Sequence, residues 1–314
     1  MSGLVFLISV QGILRKSEMK TKKEKKLNLK PASAWFLIAP ILVVHFFTIA
    51  LPSAAGLYYS FTDWSGIGSA QFIGLENYKS LFLDANYLGA LRNNLKWLIF
   101  FMTVPFAMSL ATAFLLSQVK KGTFFYRLVY FIPYVLPSVI VGTLWSFLLE
   151  PDSGITLFLR NVGIPGFDKA LLGQATTSLW TIAFVDNWHY WGFLAIIMLI
   201  AMQSIPSELY EAARIDGATL RQQFKYVTIP GIRPTLVFMV MMTAIWSFLV
   251  FDYVQVMTQG GPAGSSEVLG TLVRKVAFEE FSAGRAAAAG MSMTLFTGII
   301  LTIFLTMKKR GWEI

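Results

Sequence analysis

The chain has 314 residues, 55% of them apolar and 14% charged, with a mean hydropathy of +0.61. Soluble domains carry about 25% charged residues, so this composition points to a protein embedded in a membrane, and the net charge of +9 belongs to loops at the membrane surface, not to nucleic-acid binding. Cysteine is absent, which excludes disulfides, thiol catalysis and thiolate metal sites, and the two histidines, His45 and His189, are too few for a histidine-rich metal centre.

Residues 1–14 are mildly apolar and precede the first charges, the reverse of the order in a secretory signal. They are also shorter than the roughly 20 residues a membrane span needs, and they read as a surface-lying tail. Translation from Met19 is the alternative reading of this segment. Arg15, Lys16, Lys20, Lys22, Lys23, Lys25, Lys26 and Lys30 follow, so residues 1–33 form a basic, solvated N-terminal tail.

Six apolar runs come next, near 34–61, 95–119, 124–149, 178–202, 235–256 and 286–307. They are apolar around the whole circumference. Backbone groups in lipid must bond within their own segment, so helices are the only reading for runs this long. The expectation is an all-α, six-span protein with a membrane domain over 34–308 and a short tail over 309–314.

Basic residues set its orientation. Eight lie in the N-terminal tail, three in the second connection (Lys120, Lys121, Arg127), four in the fourth (Arg214, Arg221, Lys225, Arg233) and three at the C-terminus (Lys308, Lys309, Arg310). These are 18 of the 26 Lys and Arg, and the bias predicts that both termini and residues 204–232 are cytoplasmic. The remaining connections, 62–94, 150–177 and 257–285, are longer and rich in turn residues, as in Pro151-Asp152-Ser153-Gly154 and Gly260-Gly261-Pro262. They are sized to touch a partner on the outer face and contain no large domain.

The most informative polar stretch is Glu211-Ala212-Ala213-Arg214-Ile215-Asp216-Gly217-Ala218, which runs on to Val227-Thr228-Ile229-Pro230. Ser207 is a candidate N-cap for a first short helix, with Glu208 and Glu211 near its positive end. Gly217 is placed to end that helix in the left-handed conformation. Thr219 and Gln222 have the spacing of a capping box for a second helix, which Pro230 and Pro234 are expected to stop. Ala212 and Ala213 leave room for another surface to approach closely. Glu211, Arg214 and Asp216 offer charges around that small face for charge-assisted bonds.

Glu-Ala-Ala, three residues, Gly, nine residues and an aliphatic-x-aliphatic-Pro ending resembles the "EAA loop" of the membrane subunits of bacterial ABC importers. From about Ala34 to Met307 the chain is similar to the sugar-importer branch, that of the maltose and glycerol-phosphate permeases. The Val227-Thr228-Ile229-Pro230 ending departs conservatively from the family's usual Ile-x-Leu-Pro. The resemblance implies a subunit of the bacterial inner membrane, paired with a second, homologous permease. It implies two ATP-binding subunits inside, holding ATP and Mg, and an extracytoplasmic solute-binding protein delivering a sugar or oligosaccharide. Glu211, Ala212, Ala213, Arg214, Asp216, Gly217 and Ala218 would form the coupling helix seated in an ATPase. No Gly-x-x-x-x-Gly-Lys-Ser/Thr motif occurs in this chain, so ATP hydrolysis is expected in a separate polypeptide, and no catalytic residue or metal site is expected here.

Two spans carry polar and aromatic groups together: Asp186-Asn187-Trp188-His189-Tyr190-Trp191 in the fourth, and Trp246, Phe251, Asp252 and Tyr253 in the fifth. Ionisable groups at membrane depth are costly and face a cavity or one another. Aromatic faces beside hydrogen-bonding groups suit sugar rings, so Asn187, Trp188, Tyr190, Trp191, Trp246, Phe251, Asp252 and Tyr253 are the expected solute pathway, with Asp252 foremost. The bland reading is an interfacial aromatic belt, and for His189 a packed, hydrogen-bonded residue. Pro40, Pro52, Pro133 and Pro137 are expected to mark kinks. Ala286-Ala287-Ala288-Ala289-Gly290 is a small-residue packing face, expected against the partner permease. The rival function is a secondary transporter acting alone on an ion gradient, for which Asp186 and Asp252 are the only acidic candidates in the predicted spans.

Overall fold

A computed structural model of the chain describes residues 31–119, 121–167 and 169–309. The basic run before residue 31, Lys120 and Arg310 lie outside the described residues. The chain divides into two compact units at Ala54. The described part of the first is an apolar rod, α1 (Pro31–His45), continued through a π-helical turn over Phe46–Ala50 into the first residues of α2 (Leu51–Tyr59), whose remainder is counted with the second unit. Pro40 lies inside α1, and Pro52 sits just after the π turn. Within the widened turn the Leu51 N–H donates to the Phe46 carbonyl, five residues back. Side chains from Trp35 to Ala54 are exposed.

The second unit contains α3 (Glu76–Leu83), α4 (Ala85–Gln118), α5 (Thr123–Val135), α6 (Ser138–Leu148), α7 (Gly154–Asn161), α8 (Ser178–Gln203), α9 (Ser207–Ile215), α10 (Leu220–Gln223), α11 (Ile229–Gly231), α12 (Arg233–Leu249), α13 (Asp252–Met257), α14 (Leu269–Phe278) and α15 (Ala283–Lys309). Across both units, five helical segments are long and apolar enough to cross a membrane, and the α5–α6 pair supplies a sixth if counted as one span. Among the described residues the one extended pairing is an isolated bridge between Thr62 and Phe72.

α8 is the central helix. It packs on α4, α5, α12, α13 and α6, and its Ile182, Leu194, Met198 and Leu199 are fully buried with Trp97, Phe101 and Val141. Gly192 is the point of closest approach. A Cβ there would lie 1.9 Å from the carbonyl oxygen of Tyr130 on α5, so only glycine lets the two backbones meet. A second cluster joins Leu81, Tyr87, Ala90, Leu269 and Leu272 to Ala286, Ala288 and Ala289 of α15. The alanine face expected against a partner permease therefore packs inside this chain.

Two spans differ in extent or continuity from the expected runs, and the third span is kinked where Pro137 predicts a kink. The second begins at Ala85, ten residues early, because Asp84 caps it by accepting from the Asn86 N–H at 2.8 Å. The third is bent by 93° between Val135 and Ser138. Pro137 holds Leu136 in an extended conformation (ψ 142°), and the Leu136 carbonyl accepts from His189 Nε2 at 3.0 Å. The fifth breaks at Val250–Phe251 before resuming as α13.

The long connections contain α3, α7 and α14, and carboxamides tie two of them down. Asn77 Nδ2 donates to the carbonyls of Ser60 and Thr62 at 3.0 and 2.7 Å. Asn93 Nδ2 donates to those of Ser265 and Glu267 at 3.0 and 2.8 Å. Asn94 donates to the Ser247 carbonyl and accepts from the Leu269 N–H, both at 2.8 Å. In the same region burial pushes the Glu267 carboxyl above its ordinary range, partly offset by the Thr271 hydroxyl bonded to it and by Lys275 and Arg274 nearby.

Gly192→Ala is expected to destabilise the detergent-solubilised protein by about 1–3 kcal/mol or more, read as a lower melting temperature. Gly290→Ala, where an added Cβ meets nothing within 4 Å, should leave that temperature unchanged. Asn94→Leu orphans two buried backbone groups and is expected to cost about 1–3 kcal/mol for each. The same melting measurement checks it, with faster proteolysis in 258–268 as the local signature.

Candidate functional site

The loop over 204–232 is built from short helices with well-defined ends. α9 starts after Pro206, and Ser207 lies inside its first turn without a side-chain cap bond. The expected N-cap at Ser207 is therefore displaced by Pro206, whose extended backbone (ψ 133°) turns the chain into the helix. At the other end Gly217 has φ +76°. Its N–H donates to the Arg214 carbonyl at 3.1 Å, and the Ala218 N–H donates back to the Ala213 carbonyl at 2.9 Å. That six-to-one bond is the helix-ending arrangement a left-handed glycine allows. α10 follows at once with the expected capping box. The Thr219 N–H donates to Gln222 Oε1 at 2.8 Å, and the Gln222 N–H donates to Thr219 Oγ1 at 3.4 Å.

Pro230 and Pro234 do not stop this helix. Each stands in the first turn of a new piece, α11 and α12, where the missing N–H would be unpaired in any case. A π-helical turn over Phe224–Thr228 links α10 to α11. Thr228 Oγ1 shares a hydrogen bond with the Tyr210 hydroxyl at 2.9 Å. Gln223 Nε2 donates to the Ala218 carbonyl at 2.9 Å. Glu211, Ala212, Arg214, Asp216 and Gly217 are exposed, while Ala213 and Ala218 are half-buried. The result is a braced knuckle with a small-residue, mixed-charge outer face. A cavity of about 300 Å³ lies behind it, bounded by Tyr210, Arg214 and Gln223 of the loop, Gln118 of α4 and Gln203 of α8.

The residues expected along the solute pathway do not all face one space. Tyr190 and Trp246 meet edge-to-face with centroids 5.3 Å apart. They line a small cavity of about 60 Å³ with Trp97, Phe101, Asp186 and Thr243. The Tyr190 hydroxyl is hydrogen-bonded to Thr243 Oγ1 at 3.1 Å, and Trp97 stacks on Phe101 at 5.5 Å. Trp188 and Trp191 turn instead toward the bent third span, Trp188 onto Trp145 at 5.5 Å and Trp191 onto Tyr130 at 5.1 Å. Asn187 is buried, with Nδ2 3.4 Å from Met108 Sδ and Oδ1 without a partner among the described residues.

Phe251 lies in the break between α12 and α13, and Asp252 and Tyr253 open α13. Asp252 is exposed there and accepts from the Ser138 hydroxyl at 2.6 Å, tying α13 to the start of α6. Tyr253 lies edge-on to His189 at 6.0 Å. His189 is thus a packed, hydrogen-bonded residue that serves the broken third span. Trp97, Phe101, Thr243 and Ser247 are cavity residues that hydropathy hid. The signal for the first two was their spacing of four, which puts both rings on one helix face.

The chain is similar to known proteins over nearly its whole length. The sequence pattern of the family described as "Binding-protein-dependent transport system inner membrane component" matches residues 103–309. The probable ABC transporter permease protein YurN of Bacillus subtilis is 32% identical over 291 residues, covering 91% of this chain and 99% of that one. The sn-glycerol-3-phosphate transport system permease protein UgpA of Shigella flexneri is 31% identical, covering 86% and 91%. The probable starch degradation products transport system permease protein AmyD of Thermoanaerobacterium thermosulfurigenes is 28% identical, covering 88% and 94%. The fold is shared with a chain of a bacterial ABC transporter involved in the import of the acidic polysaccharide alginate, at a TM-score of 0.78 and 23% identity over 88% of this chain and 96% of that one. With the family pattern on two-thirds of the chain and relatives matched end to end, this protein belongs to the inner-membrane components of binding-protein-dependent transport systems, as a multi-pass permease subunit.

Proposed function

We propose that this chain is one half of the translocation pathway of an ATP-driven importer for a sugar or oligosaccharide. The observation that carries the reading is the braced knuckle at 211–218, exposed on its small-residue face and locked by the turn at Gly217. A rigid, charged protrusion joined directly to α8 and α12 can pass a push from a separate motor into the spans. The motor would be a pair of ATP-binding subunits, which hold ATP and Mg and carry out hydrolysis, while this chain performs no covalent chemistry. The charge bias supports termini and knuckle on the cytoplasmic side. The second half of the pathway would be a homologous permease, and an extracytoplasmic binding protein would deliver the solute at the opposite end.

The sugar class rests on the names of the relatives, which include starch-product and glycerol-phosphate permeases, and on the aromatic and hydroxyl lining around Tyr190 and Trp246. A cavity of about 60 Å³ is well below the roughly 300–1,000 Å³ of ligand pockets. Passage of a sugar therefore requires α4, α8 and α12 to part, or the partner's wall to enlarge the space. Asp252, bonded to Ser138, sits at the break where such parting would concentrate.

Two measurements test this reading. A chain without cysteine allows a single cysteine at Glu211, which is expected to cross-link to an ATP-binding subunit in the assembled complex and to be labelled only from the cytoplasmic side. Gly217→Val in that complex places a β-branched residue where φ is +76°, a strain of about 1–3 kcal/mol. Transport and binding-protein-stimulated ATPase activity should fall while insertion is retained. For the pathway, Trp246→Ala and Asp252→Ala are expected to weaken uptake in proteoliposomes without changing assembly. Uptake unchanged in both would remove them from the route, and uptake by this chain alone on an ion gradient would overturn the importer reading.

A further inference from the structure

α12 and α15 meet where the rings of Phe248 and Phe296 pack with centroids 5.4 Å apart. From that contact toward the start of α12 and the end of α15 the two helices leave an open cavity of about 240 Å³ between them. Every residue lining it is apolar, among them Leu236, Val240 and Ala244 of α12 and Ile300, Ile303 and Phe304 of α15. Val240 and Ile303 are 43% and 55% exposed, so the cavity opens outward from the bundle.

Two further observations say what fits there. The first is length. At 1.5 Å per residue, Arg233 to Ala244 spans about 16 Å and Ile300 to Lys308 about 12 Å. One leaflet of a hydrocarbon core about 30 Å thick is roughly 15 Å deep. The cavity is therefore one leaflet long. A neighbouring spanning helix needs a groove of the full thickness, whereas an acyl chain needs half of it. The second is charge. Lys308 and Lys309 stand at the mouth, in the last turn of α15. Both are exposed, and neither has an ion-pair partner among the described residues. Neither α12 nor α15 contains an acidic residue. An apolar slot between two spans that ends in a pair of lysines is complementary to a lipid with an anionic headgroup.

We propose that this slot binds one anionic phospholipid of the cytoplasmic leaflet, with an acyl chain between α12 and α15 and the phosphate on Lys308 and Lys309. The leaflet follows from the charge bias that puts the C-terminus inside. The identity of the cargo has no part in the inference. α12 is one of the two spans joined to the knuckle, so the lipid braces a helix on which a motor would push.

The test uses the assembled transporter, with its partner permease and ATPases, in phosphatidylcholine nanodiscs. These are doped with phosphatidylglycerol that carries a diazirine in one acyl chain, and a diazirine phosphatidylcholine at the same level is the neutral probe. After irradiation, peptides covering 236–244 and 300–307 are expected to carry the phosphatidylglycerol label about tenfold more than the phosphatidylcholine label. Lys308→Ser combined with Lys309→Ser should bring the two labels to the same level, and Lys308→Arg combined with Lys309→Arg should keep the preference. Both lysines are exposed at a helix end, so these variants are expected to insert and assemble as the wild type does. Val240→Trp, which fills the slot, should remove the phosphatidylglycerol label from both segments. Equal labelling of the wild type by the two probes, or a preference that survives the serine pair, overturns the proposal. A single cysteine at Ile303 that cross-links to the partner permease also overturns it, by assigning the slot to the subunit interface.

Discussion

The structure depends on one constraint: a backbone group freed inside a membrane span has no water to turn to, and a side chain must serve it. The bent third span makes this concrete. Pro137 forces Leu136 out of the helix, and the carbonyl that Leu136 leaves over is taken by His189 from the neighbouring α8. The start of the second long helix works in the same way. Asn93 and Asn94 lower its hydropathy, yet their carboxamides hold the carbonyls of Ser247, Ser265 and Glu267 and the Leu269 N–H. His189, Asn93 and Asn94 thus each answer backbone groups that a break or a loop leaves over.

That arrangement makes α8 the mechanical centre. It contacts the bent span through Gly192 and His189, contributes Asp186 and Tyr190 to the aromatic cavity, and ends at Gln203, four residues before the knuckle helix begins. Displacement of the knuckle is displacement of the same helix that lines the cavity. Packing at native density leaves little room for continuous deformation, so a push of the kind proposed would resolve into movement at the existing breaks. Those breaks are Leu136–Pro137 and Val250–Phe251, and the Ser138–Asp252 hydrogen bond joins one to the other.

The knuckle is stiff for local reasons. The Gly217 turn and the Thr219–Gln222 box use neighbouring residues only, and the Tyr210–Thr228 bond closes the loop on itself. Its turn and cap are local, although Phe224 also packs on Phe114 of α4, whereas the aromatic cavity exists only because three distant helices converge on it. The two candidate sites of this chain are therefore built by different physics, one by capping and one by tertiary assembly.

That difference also marks what the amino-acid order alone makes legible. The six apolar runs, the all-helical class, the turn at Gly217 and the capping box follow from the sequence by itself, because hydropathy, φ preference and cap chemistry act over a few residues. The family was visible for the same reason, since its motif is a local spacing. Tertiary structure alone decided that the kink marked by Pro137 in the third span is as sharp as 93°, that the alanine face of α15 packs inward, and that Trp188 and Trp191 turn away from Tyr190 and Trp246. It also brought Trp97, Phe101 and Thr243 to the cavity from two other helices. Helices that are apolar all round give no sign of which face meets which neighbour. Orientation within the bundle is set by contacts between residues far apart in the chain, and no window of a few residues contains them.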